Sequence, residues 1–547
     1  MPSRSSRQKR SPEAAPPAPP APTGPRAIVL LAAAAVSGVC WFLASPTWDL
    51  WPLAYVAGVP LFYVALRAPT TRRAVLYGWL AGTVMNTGGF YWLAVMLERF
   101  VPVPKVVSWV GLVGIAAIQG LGFALFAWIV RAIRGHTKLP MALVAAAVVV
   151  PCELWAPALF RYYLALTQAW QPLVIQIADL GGVVSVTALV FAVNGAIWDA
   201  AVDRRLRPAL ITAGVVAAAL GYGALRLSQI DAAQAAAPKL GVALLQGNVD
   251  FDEKGLENPD LAPRQLEAMQ SLAEQAEGQG AELVVWSETS FPYLLDRRII
   301  EEPFGRPFRG IVPNTENTPK VRVPMILGAV TFDADARGGF DPKIPPYNSA
   351  LYLDRASKIT GVFDKVELVL GSERLPFVET FPWLKDVLPA NAGRFTPGKG
   401  PVVFQHGDYR LAPLICFEDI IPGFGRRIGA LHPHLLVNLT NDVWFGDTSG
   451  PWEHLALAVF RAVELRTAMV RAVNNGVSAF VDPAGRVVEH IPVRDTGKGP
   501  APEVLVVHPP LLEGGHTFYA QTGELFGWLA TALTAFLWLV WPRLRKR

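Results

Sequence analysis

The chain has 547 residues, 52 % of them apolar and only 17 % charged, with a mean hydropathy of +0.32. Soluble domains carry ~25 % charged residues, so disordered, collagen-like and disulfide-rich classes are excluded and part of the apolar surplus must face lipid. A net charge of +5 and a pI near 9.0 raise nucleic acid as a partner, a reading that the placement of the basic residues decides.

Residues 1–25 hold eight prolines and four alanines among polar residues, and the segment 1–26 reads as a disordered cytoplasmic tail. Long apolar runs follow at Ala27–Ser45, Leu50–Leu66, Ala74–Leu97, Val106–Val130, Leu139–Phe160, Ile175–Ala200 and Pro208–Leu225, with an eighth at Leu525–Trp541. Each approaches the ~20 residues that cross a ~30 Å hydrocarbon core. Between the seventh and eighth, residues 238–508 have ordinary globular composition. The expected architecture is a polytopic bundle of about eight transmembrane helices, seven within 27–227 and one at 525–541, around one globular domain.

With the N-terminus inside, the inner segments hold eighteen lysines and arginines, whereas the short outer segments hold Arg99, Lys105, Arg161 and Arg226. Such asymmetry orients membrane proteins with the basic side in the cytoplasm. Both termini are then cytoplasmic and the domain lies on the outer, periplasmic face of a bacterial inner membrane. Topology accounts for the basic pI, and nucleic acid drops out as a partner. The first apolar run exceeds the 7–15 residues of a signal-peptide core, so it reads as a retained helix.

Within 238–508, short β-branched runs recur at Lys239–Gln246, Glu282–Trp286, Pro324–Val330, Asn348–Leu353, Arg410–Cys416, His434–Leu439, Ala468–Val473 and Val477–Asp482. Helical patterns intervene at Pro263–Gly278 and Trp452–Leu465, which predicts a layered α/β domain. Of the three cysteines, Cys40 and Cys152 fall in apolar runs, where a thiol is usually a small filler. Cys416 is alone in the domain, so no internal disulfide is open to it.

Three polar residues close apolar strands, where active sites tend to be assembled: Glu288 after Leu283–Ser287, Lys365 after Val362–Asp364, and Cys416 after Leu411–Ile415. A thiol needs a base, which a buried carboxylate can supply, and an ammonium can hold an oxyanion. The three make a chemically complete set for acyl transfer. Taken singly, each also reads as a strand-end cap, a solvated loop charge or a buried small residue.

The segments Trp286-Ser287-Glu288-Thr289, Lys365-Val366-Glu367-Leu368-Val369 and Ile415-Cys416-Phe417-Glu418 resemble the nitrilase superfamily. Gln246-Gly247-Asn248, Tyr347-Asn348-Ser349-Ala350, Asn441–Gly446, Gly450–His454, Arg461–Glu464 and Arg471–Gly476 make the chain more narrowly similar to its membrane-embedded branch, the apolipoprotein N-acyltransferases. The resemblance spans about Ala27–Arg547. It implies an αββα sandwich with Cys416 as nucleophile, Glu288 as general base, and Lys365 with the Phe417 backbone N–H as oxyanion stabilisers. It further implies Glu373 as a supporting carboxylate, with Glu418 and Trp444 near the substrate entrance. The family commonly reads Lys-x-x-Leu-Val-Pro-Phe-Gly-Glu, whereas Leu370-Gly371-Ser372 precede Glu373 here.

The implied reaction moves an acyl chain from a phospholipid donor onto Cys416, and then onto the α-amine of a diacylated apolipoprotein. No cofactor is required and a monomer is expected. The alternatives are a membrane-tethered amidase or nitrilase and, from another class, a transporter with an enzyme-like outer domain. Long proline-containing stretches at Glu302–Val323 and Arg374–Pro397 read as covering segments, the second presenting Phe381 and Trp383 toward the bilayer. His432-Pro-His434 has no cysteine or carboxylate at ligand spacing, so no metal site is expected. A Cys416–His454 dyad is not required by spacing, and Glu153 is the intramembrane ionisable residue to watch.

Overall fold

A computed structural model describes residues 26–46, 48–100, 103–250, 260–298, 321–335, 339–341, 344–370, 373–374, 380–381, 383, 395–491 and 501–544. The tail 1–25 lies outside the described residues.

Every apolar run is largely helical. The helices are Ala27–Leu43, Ala54–Arg67, Thr71–Gly89 with Trp92–Phe100, Lys105–Gln119 with Leu121–His136, Met141–Trp155, Val183–Ala201, Leu206–Ala236 and a last stretch from Leu525 to Leu544. By length and composition, four stretches among the described residues can cross a membrane: Lys105–His136, Val183–Ala201, Leu206–Ala236 and Leu525–Leu544. A fifth is added if Thr71–Gly89 and Trp92–Arg99, bent by 57°, form one span. Chain punctuation shortens others. Ala156, before Pro157, turns extended at ψ 147° and ends Met141–Trp155. Gly182, at φ +70°, separates the run beginning at Ile175 from Val183–Ala201. Small residues let the helices approach: a Cβ on Gly195 would lie 2.4 Å from Ala142 Cα.

The globular domain holds β1 (Val242–Gln246), β2 (Leu283–Trp286), β3 (Leu294–Asp296), β4 (Met325–Phe332), β5 (Tyr347–Leu353), β6 (Ile359–Asp364), β7 (Phe404–His406), β8 (Tyr409–Ile415), β9 (Leu435–Thr440), β10 (Ala468–Val473), β11 (Ala479–Val481), β12 (Val487–His490) and β13 (Glu503–Val507). One sheet runs β13-β1-β2-β4-β5-β6 with β3 on β4, and the other runs β12-β11-β10-β9-β8-β7. The centres, β1-β2-β4 and β8-β9-β10, are parallel, and antiparallel strands flank them.

Period-two alternation explains the layering. Val242, Leu244, Leu283 and Val285 belong to the main core cluster, which also takes in Leu411, Leu435 and Val470 from one face of the second sheet. Their neighbours Ala243, Leu245, Val284 and Trp286 pack on Leu266 and Met269 of the helix Ala262–Gly278. Pro422–Gly429 and Gly450–Leu465 accompany the second sheet, giving the helix–sheet–sheet–helix order. The strands that sequence patterning passed over (β3, β7, β12 and β13) are short or lie at sheet margins, where alternation is weakly expressed.

Candidate active site

The first sheet carries the charged half of the site. Beyond β2 the chain reaches Glu288, 5 % exposed, and turns left-handed at Thr289 (φ +47°). It crosses β4 at Gly328, where a Cβ would lie 2.3 Å from the Ser287 carbonyl oxygen, so no larger residue fits. Asn348 Nδ2 on β5 donates to Glu288 Oε1 at 2.7 Å. Lys365, just past β6 and 1 % exposed, directs Nζ at Glu373 Oε1 (2.7 Å) and Glu288 Oε1 (3.3 Å). Its backbone is held on both sides, N–H to Asn348 O and O from Gly398 N–H, each at 2.8 Å. Burial disfavours its charge, but Glu288 and Glu373 outweigh that and hold the ammonium well above the ordinary lysine range.

The second sheet carries the thiol. Cys416 leaves β8 with φ +52° and opens the 3₁₀ turn Cys416–Ile420. A non-glycine residue in this region costs about 1–3 kcal/mol and persists where its surroundings over-determine it. Glu418 supplies much of that determination. Oε2 accepts from Ile415 N–H at 2.8 Å, and Oε1 accepts from Val366 N–H at 2.7 Å and Glu367 N–H at 3.1 Å. Burial pushes its carboxyl up to about 8 while those three donors pull against it. Glu418 is therefore a buried strut between the two halves. Burial and then Glu288 raise the Cys416 thiol well above its ordinary value, and Lys365 opposes them. Such a thiol rests protonated and needs a base to react. Phe417 follows, half-buried against the core.

Cysteine, carboxylate and buried ammonium at converging strand ends are a set that can acylate and deacylate a thiol. The Apolipoprotein N-acyltransferase N-terminal domain family matches residues 37–196, and the Carbon-nitrogen hydrolase family matches 241–497. A protein of Geobacter metallireducens named apolipoprotein N-acyltransferase is 28 % identical over 91 % of this chain and 92 % of its own. Its namesake in Azotobacter vinelandii is 32 % identical over 85 % of this chain and 86 % of its own. The chain belongs to the apolipoprotein N-acyltransferase family. Among solved structures, an amidase from Nesterenkonia sp. AN1 aligns with 52 % of this chain and 96 % of its own at 20 % identity and a TM-score of 0.35.

In this member of the N-acyltransferase family, Trp444 is half-buried in the turn Asp442–Phe445, which docks on the helix Trp92–Phe100. Arg99 Nη1 donates to Val443 O at 2.8 Å, Trp92 meets Phe445 edge-to-face at 4.8 Å, and Trp92 Nε1 donates to Glu453 Oε2 at 3.1 Å. Phe381 and Trp383 are 48 % and 58 % exposed. Most of the two covering segments, including 302–320 and 384–394, lies outside the described residues. Glu153 Oε1 accepts from Leu164 N–H at 2.6 Å, and its side chain lines a bundle cavity of about 80 Å³ with Asn86, Gln119 and Tyr162.

Two of the histidines gain partners that the sequence did not show. Both ring nitrogens of His454 face carboxylates, Asp442 at 2.9 Å and Asp419 at 3.0 Å, which leaves none for Cys416. His432 gains remote neighbours, Glu513 and His516, with donor atoms within 4.8 Å of one another. Glu513 Oε1 there also pairs with Arg410 Nη2 at 3.3 Å, a cation that already occupies the carboxylate. Asn348 and Arg471 stand in segments that carry the resemblance, but the sequence assigns no site role to them or to Asn438. Their signal was a polar side chain inside an otherwise apolar strand, as in Leu435–Thr440 and Ala468–Val473.

Proposed function

We propose that Cys416, Glu288 and Lys365 carry out N-acylation of lipoproteins, the activity of the family, in two half-reactions. Glu288 takes the Cys416 proton, and the thiolate attacks the ester carbonyl of a phospholipid acyl chain. Lys365 and the Phe417 N–H hold the oxyanion. The C–O bond breaks, the leaving lysophospholipid takes the proton from Glu288, and a thioester remains. The α-amine of a diacylglyceryl-modified N-terminal cysteine then attacks, giving its proton to Glu288 as the C–S bond breaks. The observation that carries this reading is the Lys365 ammonium, buried between Glu288 and Glu373 and electrostatically coupled to Cys416.

Glu373 keeps Lys365 charged and placed, while Trp444, Phe381 and Trp383 line the entrance for lipid. No cofactor takes part, and the chain works as a monomer. It resides in the bacterial inner membrane with eight crossings, both termini in the cytoplasm and the 238–508 domain outside. The eighteen-to-four distribution of basic residues supports this orientation. Lipid-anchored substrates account for the bundle, since both must reach a thiol beside the bilayer.

Mass spectrometry of the protein incubated with phospholipid alone tests the chemistry: an acyl adduct is expected on the Cys416 peptide, and its absence overturns the reading. A reporter active only outside the cytoplasm is expected to work when fused after Ser228 and to fail when fused at Arg204. The reverse pattern overturns the orientation.

A further inference from the structure

Beneath the Cys416 turn lies a buried set of charges that the mechanism above leaves without a role. His454, on the helix Gly450–Leu465 and 7 % exposed, places Nδ1 2.9 Å from Asp442 Oδ1 and Nε2 3.0 Å from Asp419 Oδ1. Asp419 belongs to the turn that begins with Cys416, and Asp442 to the turn that carries Trp444. Arg471, on β10, spans the same two carboxylates. Nη2 donates to Asp442 Oδ2 at 3.0 Å, and Nη1 donates to Asp419 Oδ2 and, at 3.2 Å, to Asn438 Oδ1. Asn438 Nδ2 in turn donates to the Cys416 carbonyl at 3.4 Å. All of these groups are buried.

A ring nitrogen facing a carboxylate must donate to it, and an imidazole flanked on both sides donates twice only as the imidazolium. The charge count agrees. Two carboxylates, one guanidinium and one imidazolium sum to zero, whereas a neutral imidazole leaves an uncompensated negative charge beneath the thiol. The groups facing His454 are Asp442 from one turn, Asp419 from the other and Arg471 from β10. Phe445 lies with its ring 6.1 Å away, and Glu453 on the same helix is bonded by Trp92. Burial and Arg471 oppose protonation, yet the two carboxylates prevail and push His454 up to about 9.

We infer that His454, donating to Asp419 and Asp442 together, is a positioning residue that locks the Cys416 turn to the Trp444 turn and neutralises the carboxylates under the thiol. The two half-reactions thereby share one fixed geometry. Asp442 also raises the Cys416 thiol directly, so losing the His454 charge lifts the thiol further. The inference rests on Cys416 being the acylated residue.

The test uses the full chain in lipid nanodiscs with two readouts on the Cys416 peptide: acyl adduct over time, and alkylation by iodoacetamide against pH. His454→Gln keeps one donor and loses the charge. Acylation is expected to slow about 10²-fold, the scale of a small misplacement, with the phospholipid KM unchanged and the alkylation profile moved to higher pH. His454→Lys restores a cation and is expected to return both toward the wild type. If His454→Gln does not accumulate folded, Asp442→Asn decides: removing a carboxylate charge is expected to move alkylation to lower pH. A His454→Gln protein that acylates at the wild-type rate with an unmoved profile overturns the inference, as does an Asp442→Asn profile that stays in place. Wild-type protein that forms no adduct overturns the Cys416 reading instead.

Discussion

The two sheets of the globular domain meet at one site but handle charge in opposite ways. The first sheet brings Glu288, Lys365 and Glu373, three groups for two negative charges and one positive, so a proton has somewhere to go. The second sheet brings Cys416 above Asp419, Asp442, His454 and Arg471, a set that balances and has no vacancy for a proton. Both reach the site through a left-handed non-glycine residue, Thr289 on one side and Cys416 on the other. In the proposed reaction one half changes protonation, and the other holds still while it does. Glu418 joins them by accepting backbone N–H groups from each.

The comparison breaks most completely at the thiol. Cys416→Ala is expected to abolish adduct and transfer, because the domain holds no other thiol. Cys416→Ser is expected to be nearly as inactive, a hydroxyl being far less acidic than a thiol. Acyl-adduct mass spectrometry and a lipoprotein mobility assay check both.

On the charged half, Glu288→Gln is expected to slow adduct formation by ~10²–10⁴-fold through loss of a general base. Lys365→Ala is expected to cost ~10²–10³-fold through loss of an oxyanion contact. Lys365→Arg should recover little, since a planar guanidinium cannot place its charge where a compact ammonium sat. The double variant should fall no further than the worse single one, as groups acting as a unit are not additive. Near-normal adduct formation by Glu288→Gln would remove it from the base role and point to Glu373.

The neutral half predicts a pH effect on stability. His454 is raised from an ordinary 6.5 to about 9 on folding, so its contribution is complete below about 6.5 and is lost as pH rises through about 9. The contribution is about 3 kcal/mol at most, at 1.36 kcal/mol per unit. Thermal unfolding between pH 6 and pH 10 should show this decline in the wild type together with the parts due to Glu418 and Cys416, which are also raised on folding, and His454→Gln should make it shallower.

Two smaller perturbations act where the halves join. Glu418→Gln replaces an acceptor oxygen with a donor and strands at least one of its three N–H partners, at about 1–3 kcal/mol for a buried orphan. A lowered melting temperature together with slower Cys416 alkylation is expected. The exposed pair Arg427–Glu367, at 3.2 Å, also bridges the halves, but exposed pairs contribute only ~0.2–1 kcal/mol. Arg427→Gln should leave the adduct rate unchanged and barely move the melting curve. A large effect there would mean that the joint depends on surface charge rather than on Glu418.

Much of this was legible without coordinates because the signals are local. Apolar runs such as Pro208–Leu225 can bury their surface as helices in lipid, and the continuous apolar runs in Val242–Gln246 and Leu283–Trp286 mark strands with two covered faces. Glu288, Lys365 and Cys416 stood out because each interrupts the end of such a strand. Tertiary structure alone decided that β2 and β6 share one sheet while β8 belongs to the other, and hence which groups face one another. It turned Glu418 inward onto three backbone donors and gave both nitrogens of His454 to carboxylates 12 and 35 residues away in sequence. Periodicity records whether a side chain is buried, because burial follows from the local hydrophobic pattern. Which partner satisfies a buried polar group depends on contacts between remote segments, and those exist only once both sheets are packed.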